Sequence, residues 1–281
     1  MKLAKISKRN IAIISLLVLA VAAVLFTFYA TSRTDNAATV YDNAPVPKAQ
    51  IHALSLIANN ETFANQVMFG NVSGFPININ VQKPLVFDGK PGILYFGADY
   101  CPYCAITRWS LILALMRFGN FTELHYMTSN ATDVYPNTAT FTFFNSSYTS
   151  NYINFTSIEQ QTVTHKALQT PTQEELLLFE KFDLNNSLIP QYARGGIPFI
   201  DFGNISVLVG AAISPNIIHN DNWTEVISGL SKPNSKYSQA IIGAANIFTA
   251  EICASNNNTP SQVCSQTYVK TIQKNLGIKV S

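Results

Sequence analysis

Apolar positions along the chain fall into blocks whose spacing predicts one membrane-length helix followed by alternating strands and helices. Residues 11–30 are uninterrupted apolar apart from Ser15 and Thr27, and about 20 residues of helix cover the roughly 30 Å hydrocarbon core of a bilayer. This block predicts a transmembrane anchor. Over residues 51–65, Ile51, Leu54, Ile57 and Ala58 share one helical face, so a helix is expected. Residues 71–88 alternate weakly and contain Pro76 and Pro84, which suits short strands or a loop leading into the body. The segment 92–120 reads as strand (93–96), Cys-x-x-Cys elbow and buried helix (105–118), and 123–128 alternates as the next strand. A helix between two such strands predicts a crossover with parallel pairing. Residues 133–165 favour strand and 173–182 helix, together an insertion covering one side of the sheet. Residues 195–202 and 205–210 predict a strand pair about the turn at Gly203 and Asn204, with closing helices at 222–230 and 237–252. The expected fold class is α/β.

This pattern divides the chain into a basic stub (1–10), the anchor (11–30), a linker (31–48) and one domain (49–281). The domain has a core at about 85–230, an insertion at about 130–190 and C-terminal helices at 237–275. Lys2, Lys5, Lys8 and Arg9 precede the anchor, so the N-terminus is expected in the cytoplasm and the domain outside the cell. The competing reading is a cleaved signal peptide, but its apolar region usually runs only about 7 to 15 residues, and Phe26, Phe28 and Tyr29 crowd the expected cleavage site.

The formal charge of +2 comes from that stub, because beyond Tyr29 the chain carries 14 Lys and Arg against 16 Asp and Glu. A body of about −2 is a poor binder of nucleic acid. Sequons begin at Asn60, Asn71, Asn120, Asn130, Asn145, Asn154, Asn185, Asn204, Asn222 and Asn257, as in an extracellular glycoprotein. An Asn- and Thr-rich composition also generates sequons freely. None begins between Val72 and Gly119, which predicts a glycan-free face around the cysteine motif.

There are four cysteines. In Cys101-Pro102-Tyr103-Cys104, Pro102 suits a first helical turn and leaves Cys101 at the helix end, where free amides and the macrodipole stabilise a thiolate. Cys104 falls on the same face, able to form a Cys101–Cys104 disulfide and to resolve a mixed disulfide. The alternatives are a static disulfide or vestigial motif, and half of a zinc site, although Cys253 and Cys264 are too far apart for a knuckle. Cys253 and Cys264 bracket a polar loop, where outside the cytoplasm a structural Cys253–Cys264 disulfide is expected, or else a second redox pair serving Cys104. His52, His125, His165 and His219 show no metal spacing, and no metal is expected. Asp99 reads as a solvated loop carboxylate or, alternatively, a general base.

The order strand, Cys-x-x-Cys, helix, strand, insertion, Ile197-Pro198, strand pair, helix resembles the thioredoxin superfamily over about 92–230. Its tetrapeptide is similar to that of glutaredoxins, and the placing of its helical insertion resembles that of bacterial periplasmic disulfide oxidases. The chain as a whole resembles a largely archaeal thioredoxin-like family of unknown function, domain of unknown function nine-two-nine. The resemblance implies Cys101 as attacking thiolate, Cys104 as buried resolving thiol and Pro198 as a cis-proline facing them. It also implies a client-binding surface at Ile197, Pro102 and Tyr103. Two departures stand out: Tyr95 occupies the position of the buried acid of thioredoxins, and Tyr100 that of a tryptophan. The expected function is a membrane-anchored, extracytoplasmic thiol-disulfide oxidoreductase acting on cell-surface protein thiols, with no cofactor and with a redox partner to recharge it. The alternative is a surface glycoprotein using the scaffold for adhesion or envelope assembly.

Overall fold

The computed structural model describes residues 42–79 and 83–280. The expected stub, the anchor at 11–30 and the linker as far as residue 41 lie outside the described residues. No helix among the described residues is long and apolar enough to cross a membrane.

From Asp42 onward the chain is already part of the folded body. The Asn43 and Val46 amides donate to the carbonyls of Tyr126 and Leu124, and Val46 is buried, so the last residues of the expected linker lie against a strand. The single helix expected over 51–65 is two, α1 (Lys48–Ala58) and α2 (Glu61–Val67). Asn60 breaks them, because its Oδ1 accepts the Phe63 amide at 3.1 Å and caps α2.

Short strands β1 (Ile77–Asn78) and β2 (Val86–Phe87) lead into β3 (Lys90–Gly97), whose last six residues are buried. After α3 (Pro102–Leu115) come β4 (Gly119–Thr128), β5 (Ala139–Ser150) and β6 (Asn154–Glu159). Helix α4 (Gln173–Phe179) continues as a π turn over Glu180–Leu184, and β7 (Phe199–Phe202) and β8 (Ser206–Val209) form the expected antiparallel pair. Four helices close the chain: α5 (Trp223–Leu230), α6 (Gly243–Ser255), α7 (Ser261–Cys264) and α8 (Thr267–Leu276).

The main sheet runs β1-β8-β7-β3, with β2 and β6 also paired to β3. Here the structure corrects two expectations. The strand after α3 does not pair with β3: β4 and β5 form a separate antiparallel sheet, and the parallel partner of β3 is β6, with Gly92 opposite Asn154 and Gly97 opposite Glu159. A short link between β4 and β5 favours an antiparallel hairpin, whereas a parallel pair needs a long crossover, which α3 and the hairpin together provide. The expected insertion at 130–190 therefore contains a strand of the main sheet. Only the part around α4, which buries none of its own residues, lies at the periphery.

Alternation along β3 divides the core. Ile93 and Tyr95 face the larger cluster with α3 and α6, whereas Leu94 and Phe96 face a smaller one with Phe182, Ile189 and Phe199. Helix α3 is buried on nearly all sides and presents only Tyr103 to solvent. Its exit is fixed by Arg117, whose guanidinium donates to Ala58 O, Ala245 O, Thr249 Oγ1 and Asn246 Oδ1 at 2.9, 3.2, 2.7 and 2.9 Å and lies over the Tyr268 ring. Cys253 and Cys264 are joined by a disulfide with a Cα separation of 5.5 Å, tying the end of α6 to α7.

Candidate functional site: a buried dithiol at a helix start

Strand β3 delivers the chain to a tight turn at Ala98, Asp99 and Tyr100, and Cys101 then caps α3 with its own side chain. Its backbone is extended, with φ −80° and ψ 120°, and its Sγ accepts the Cys104 amide at 3.3 Å. Pro102 follows at the first helical position, where a missing N–H costs no hydrogen bond. Both cysteines are buried, with Cys101 retaining 6 % exposure and Cys104 none. Both are free thiols, the reduced form of the expected Cys101–Cys104 disulfide.

The two thiols differ electrostatically. The Cys101 pKa is lowered by the hydrogen bond from the Cys104 side chain, against the cost of burial, with help from the Cys104 and Tyr103 amides and the Arg108 charge. Burial, reinforced by its hydrogen bond with Cys101, pushes the Cys104 pKa well above the ordinary thiol range. Opposite them the Ile197–Pro198 peptide is cis, and the Ile197 carbonyl lies 3.9 Å from Cys101 Sγ. The fold thus brings Cys101, Cys104, Ile197 and Pro198 together across about a hundred residues. Pro102 and Tyr103 complete the first turn of α3 at that mouth, with Tyr103 42 % exposed.

A charged cluster lies in the protein interior beside this site. Arg108, one helical turn beyond Cys104, is fully buried and clamps Glu159 of β6 with two hydrogen bonds, Nε to Oε1 at 2.9 Å and Nη2 to Oε2 at 2.7 Å. The same Nη2 donates to Ala98 O at 2.7 Å and stands 3.7 Å from Asp99 Oδ1. Asp99 is 2 % exposed, which overturns its reading as a solvated loop carboxylate. Burial, and secondarily the charge of Glu159, raise its pKa to about 7 against the attraction of Arg108 and a hydrogen bond with Thr142. The Tyr95 hydroxyl, also buried, has no hydrogen-bond partner among the described residues.

A family model described as Domain of unknown function (DUF929) matches residues 79–254, well over half of the chain. The chain belongs to the DUF929 family. Searches of curated proteins and of solved structures each return no match. The DUF929 match contains the dithiol, the Asp99–Arg108–Glu159 cluster and the cis-proline, and it ends before Cys264.

Arg108 and Glu159 of the DUF929 domain escaped the sequence reading. Arg108 did leave a trace, as the one cation within an apolar helix and four residues after Cys104. Glu159 left none, since its place follows from the pairing of β6 with β3.

Two of the four histidines also reach the rim of the dithiol. His165 lies against Tyr100 at 4.1 Å between ring centroids, and His219 meets Tyr135, which contacts Tyr103 edge-on at 6.1 Å. His125 instead hydrogen-bonds Asn43 O and Glu123, and His52 is exposed on α1. Among the described residues no group of three or more His, Cys, Asp or Glu could hold a metal.

The sequons divide by exposure. Asn71, Asn120, Asn145, Asn185, Asn222 and Asn257 are exposed, and Asn60, Asn130 and Asn154 are half-buried. Asn204 is a correction, because it is buried in the β7–β8 turn with its Nδ2 donating to Lys83 O at 2.9 Å, which leaves no room for a glycan in the folded protein. The face beside the motif is not free of sequons either: the Asn130 amide donates to Tyr100 O at 2.9 Å.

Proposed function

We propose that the protein is a membrane-anchored, extracytoplasmic thiol-disulfide oxidoreductase built on a thioredoxin-like domain and acting on protein thiols at the cell surface. The arrangement of β6, β3, β7 and β8, with a helix following the dithiol strand and a cis-proline before β7, supports the thioredoxin-like reading. The apolar run at 11–30 behind a basic stub supports the anchor and the outward topology.

The observation that carries the chemistry is the asymmetry of the dithiol: both cysteines are buried, but Cys101 keeps a trace of exposure and has a stabilised thiolate, whereas Cys104 has none and a destabilised one. Thiol exchange needs such a division between an attackable sulfur and a resolving one. In the oxidising direction a client thiolate attacks Cys101 Sγ of the Cys101–Cys104 disulfide, the S–S bond breaks, and Cys104 leaves as thiolate and takes up a proton. A second client thiolate attacks the client sulfur of the mixed disulfide and expels Cys101. The client gains one disulfide and the protein is left as the dithiol, the form present in the structure. Ile197 and Pro198 border the space in which the client segment must lie.

The test is turnover of a dithiol peptide by the full-length chain, with glutathione disulfide as oxidant. Cys101→Ser is expected to lower peptide oxidation to the uncatalysed rate. Equal rates for wild type and Cys101→Ser would contradict the proposal and favour a scaffold without redox turnover.

A further inference from the structure

The chain enters its folded body at the same end as the dithiol. Thr128 Oγ1, at the close of β4, donates to Asp42 Oδ1 at 3.0 Å. Two residues further on, the Asn130 amide donates to Tyr100 O at 2.9 Å, next to Cys101. Asn43 and Asp99 line one cavity, so the entry point and the turn before the motif are neighbours. Residues 31–41 separate the apolar run at 11–30 from this entry point, and even fully extended they span no more than about 40 Å. A chain anchored by that run keeps the dithiol end of its domain within reach of the bilayer.

The two most exposed large apolar side chains among the described residues lie at that end, Tyr192 at 92 % and Val134 at 71 %, and Tyr103 and Leu188 are exposed as well. They come from segments on two sides of the dithiol mouth. Val134 precedes Tyr135, whose ring meets that of Tyr103 edge-on, and its loop is held to Tyr100 by the Asn130 amide. Tyr192 lies in the 3₁₀ turn Gln191–Ala193. The Ala193 carbonyl accepts the Gly196 amide at 3.1 Å, immediately before the cis Ile197–Pro198 bond whose Ile197 carbonyl faces Cys101. The charged side chains on these segments are Arg194 and Asp133, joined by Lys166 next to the His165 that lies against Tyr100. Exposed tyrosines with apolar neighbours and a basic fringe suit the boundary between headgroups and acyl chains, where the ring is covered and the hydroxyl stays wet.

We propose that the dithiol end of the domain docks on the bilayer surface, with Val134, Leu188, Tyr192 and Tyr103 at the level of the lipid headgroups. The inference rests on the membrane-anchored reading above. A few apolar side chains bind a membrane only weakly by themselves, but a short tether makes the contact intramolecular and raises the effective concentration of the surface. Docked in this way, Cys101 opens toward the headgroup layer. The thiols within its reach are then those that other membrane proteins present at the bilayer surface, in preference to thiols on freely diffusing chains.

Both native tryptophans, Trp109 and Trp223, are buried, so a tryptophan introduced at the surface reports its own surroundings. Tyr192→Trp, Val134→Trp and Leu56→Trp are each made in the full-length chain and reconstituted in phosphatidylcholine vesicles with and without bromine on the acyl chains. Leu56 serves as the reference: it is 62 % exposed near the end of α1, which the Asn59 side chain ties to Met116 O at the far end of α3 from the dithiol. Brominated lipid is expected to remove most of the emission added by Tyr192→Trp and Val134→Trp and to leave that of Leu56→Trp. Absence of quenching at Tyr192→Trp and Val134→Trp overturns the inference, as does equal quenching at all three positions. Emission of Tyr192→Trp that responds to protein density and not to bromine would assign the face to a second copy and overturn it too. Flotation of the same vesicles tests the anchor separately. A chain that floats without quenching keeps the anchored reading and loses the docking, whereas a chain that does not float loses both.

Discussion

At the scale of single residues, the protein places several ionisable groups where water cannot reach them. Cys104, Asp99, Asp201 and Glu251 all have their neutral forms favoured by burial, and for the last three the pKa rises to about 7. Glu251 is the cleanest case. It lies on α6 with one charge-bearing oxygen accepting from Ser206 Oγ at 2.8 Å, and burial outweighs that bond. An acid raised on folding binds more protons in the folded than in the unfolded state between its two pKa values. Its contribution is therefore fully present below the unfolded value of about 4.3 and is lost as pH rises through the folded one. Glu251→Gln, which keeps the acceptor and removes the titration, should be close to wild type in thermal midpoint at pH 4 and more stable than wild type at pH 8, by roughly 1 to 3 kcal/mol. Equal shifts at both pH values would contradict the assignment. The residues of the dithiol were legible because their signal is local: a four-residue spacing and a proline at a helix start. The meeting of Asp99 with Arg108 and Glu159 was not, because it depends on the register of two strands some sixty residues apart and on which side of the turn after β3 is covered.

At the scale of elements, periodicity identified what each segment is better than whom it meets. The β7–β8 pair and α5 stand close to where they are expected, since a tight turn at Gly203 and Asn204 and a capping box from Asn222 to Glu225 are encoded within a few residues. The strand β4 was recognised as a strand but assigned the wrong partner, because alternation fixes a face and not a neighbour. The split between α1 and α2 was hidden because Asn60 extends a helical pattern while its side chain caps the next helix. Arg117 is the joint of these helices. Its guanidinium ends the run of α3 and satisfies carbonyls or side chains of α1 and α6 at once. Arg117→Leu leaves Ala58 O and Asn246 Oδ1 without that donor, while Ala245 O keeps the Thr249 hydroxyl, and should cost about 2–4 kcal/mol, read from the denaturant midpoint. An unchanged midpoint would show that the α1–α6 junction does not depend on the clamp.

At the scale of the whole molecule, two cysteine pairs stand in different states. Cys253 and Cys264 are bonded and buried where α6 meets α7, whereas Cys101 and Cys104 are free at the end of β3. This division suits one pair that holds the C-terminal helices and another that changes state. Equilibration of the full-length chain over a series of glutathione to glutathione-disulfide ratios, followed by acid quenching, alkylation and mass mapping, tests the central claim most directly. The account predicts that Cys101 and Cys104 pass together from alkylated to disulfide-bonded across that series while Cys253–Cys264 stays bonded. A Cys101–Cys104 pair that stays in one state at every ratio would contradict it.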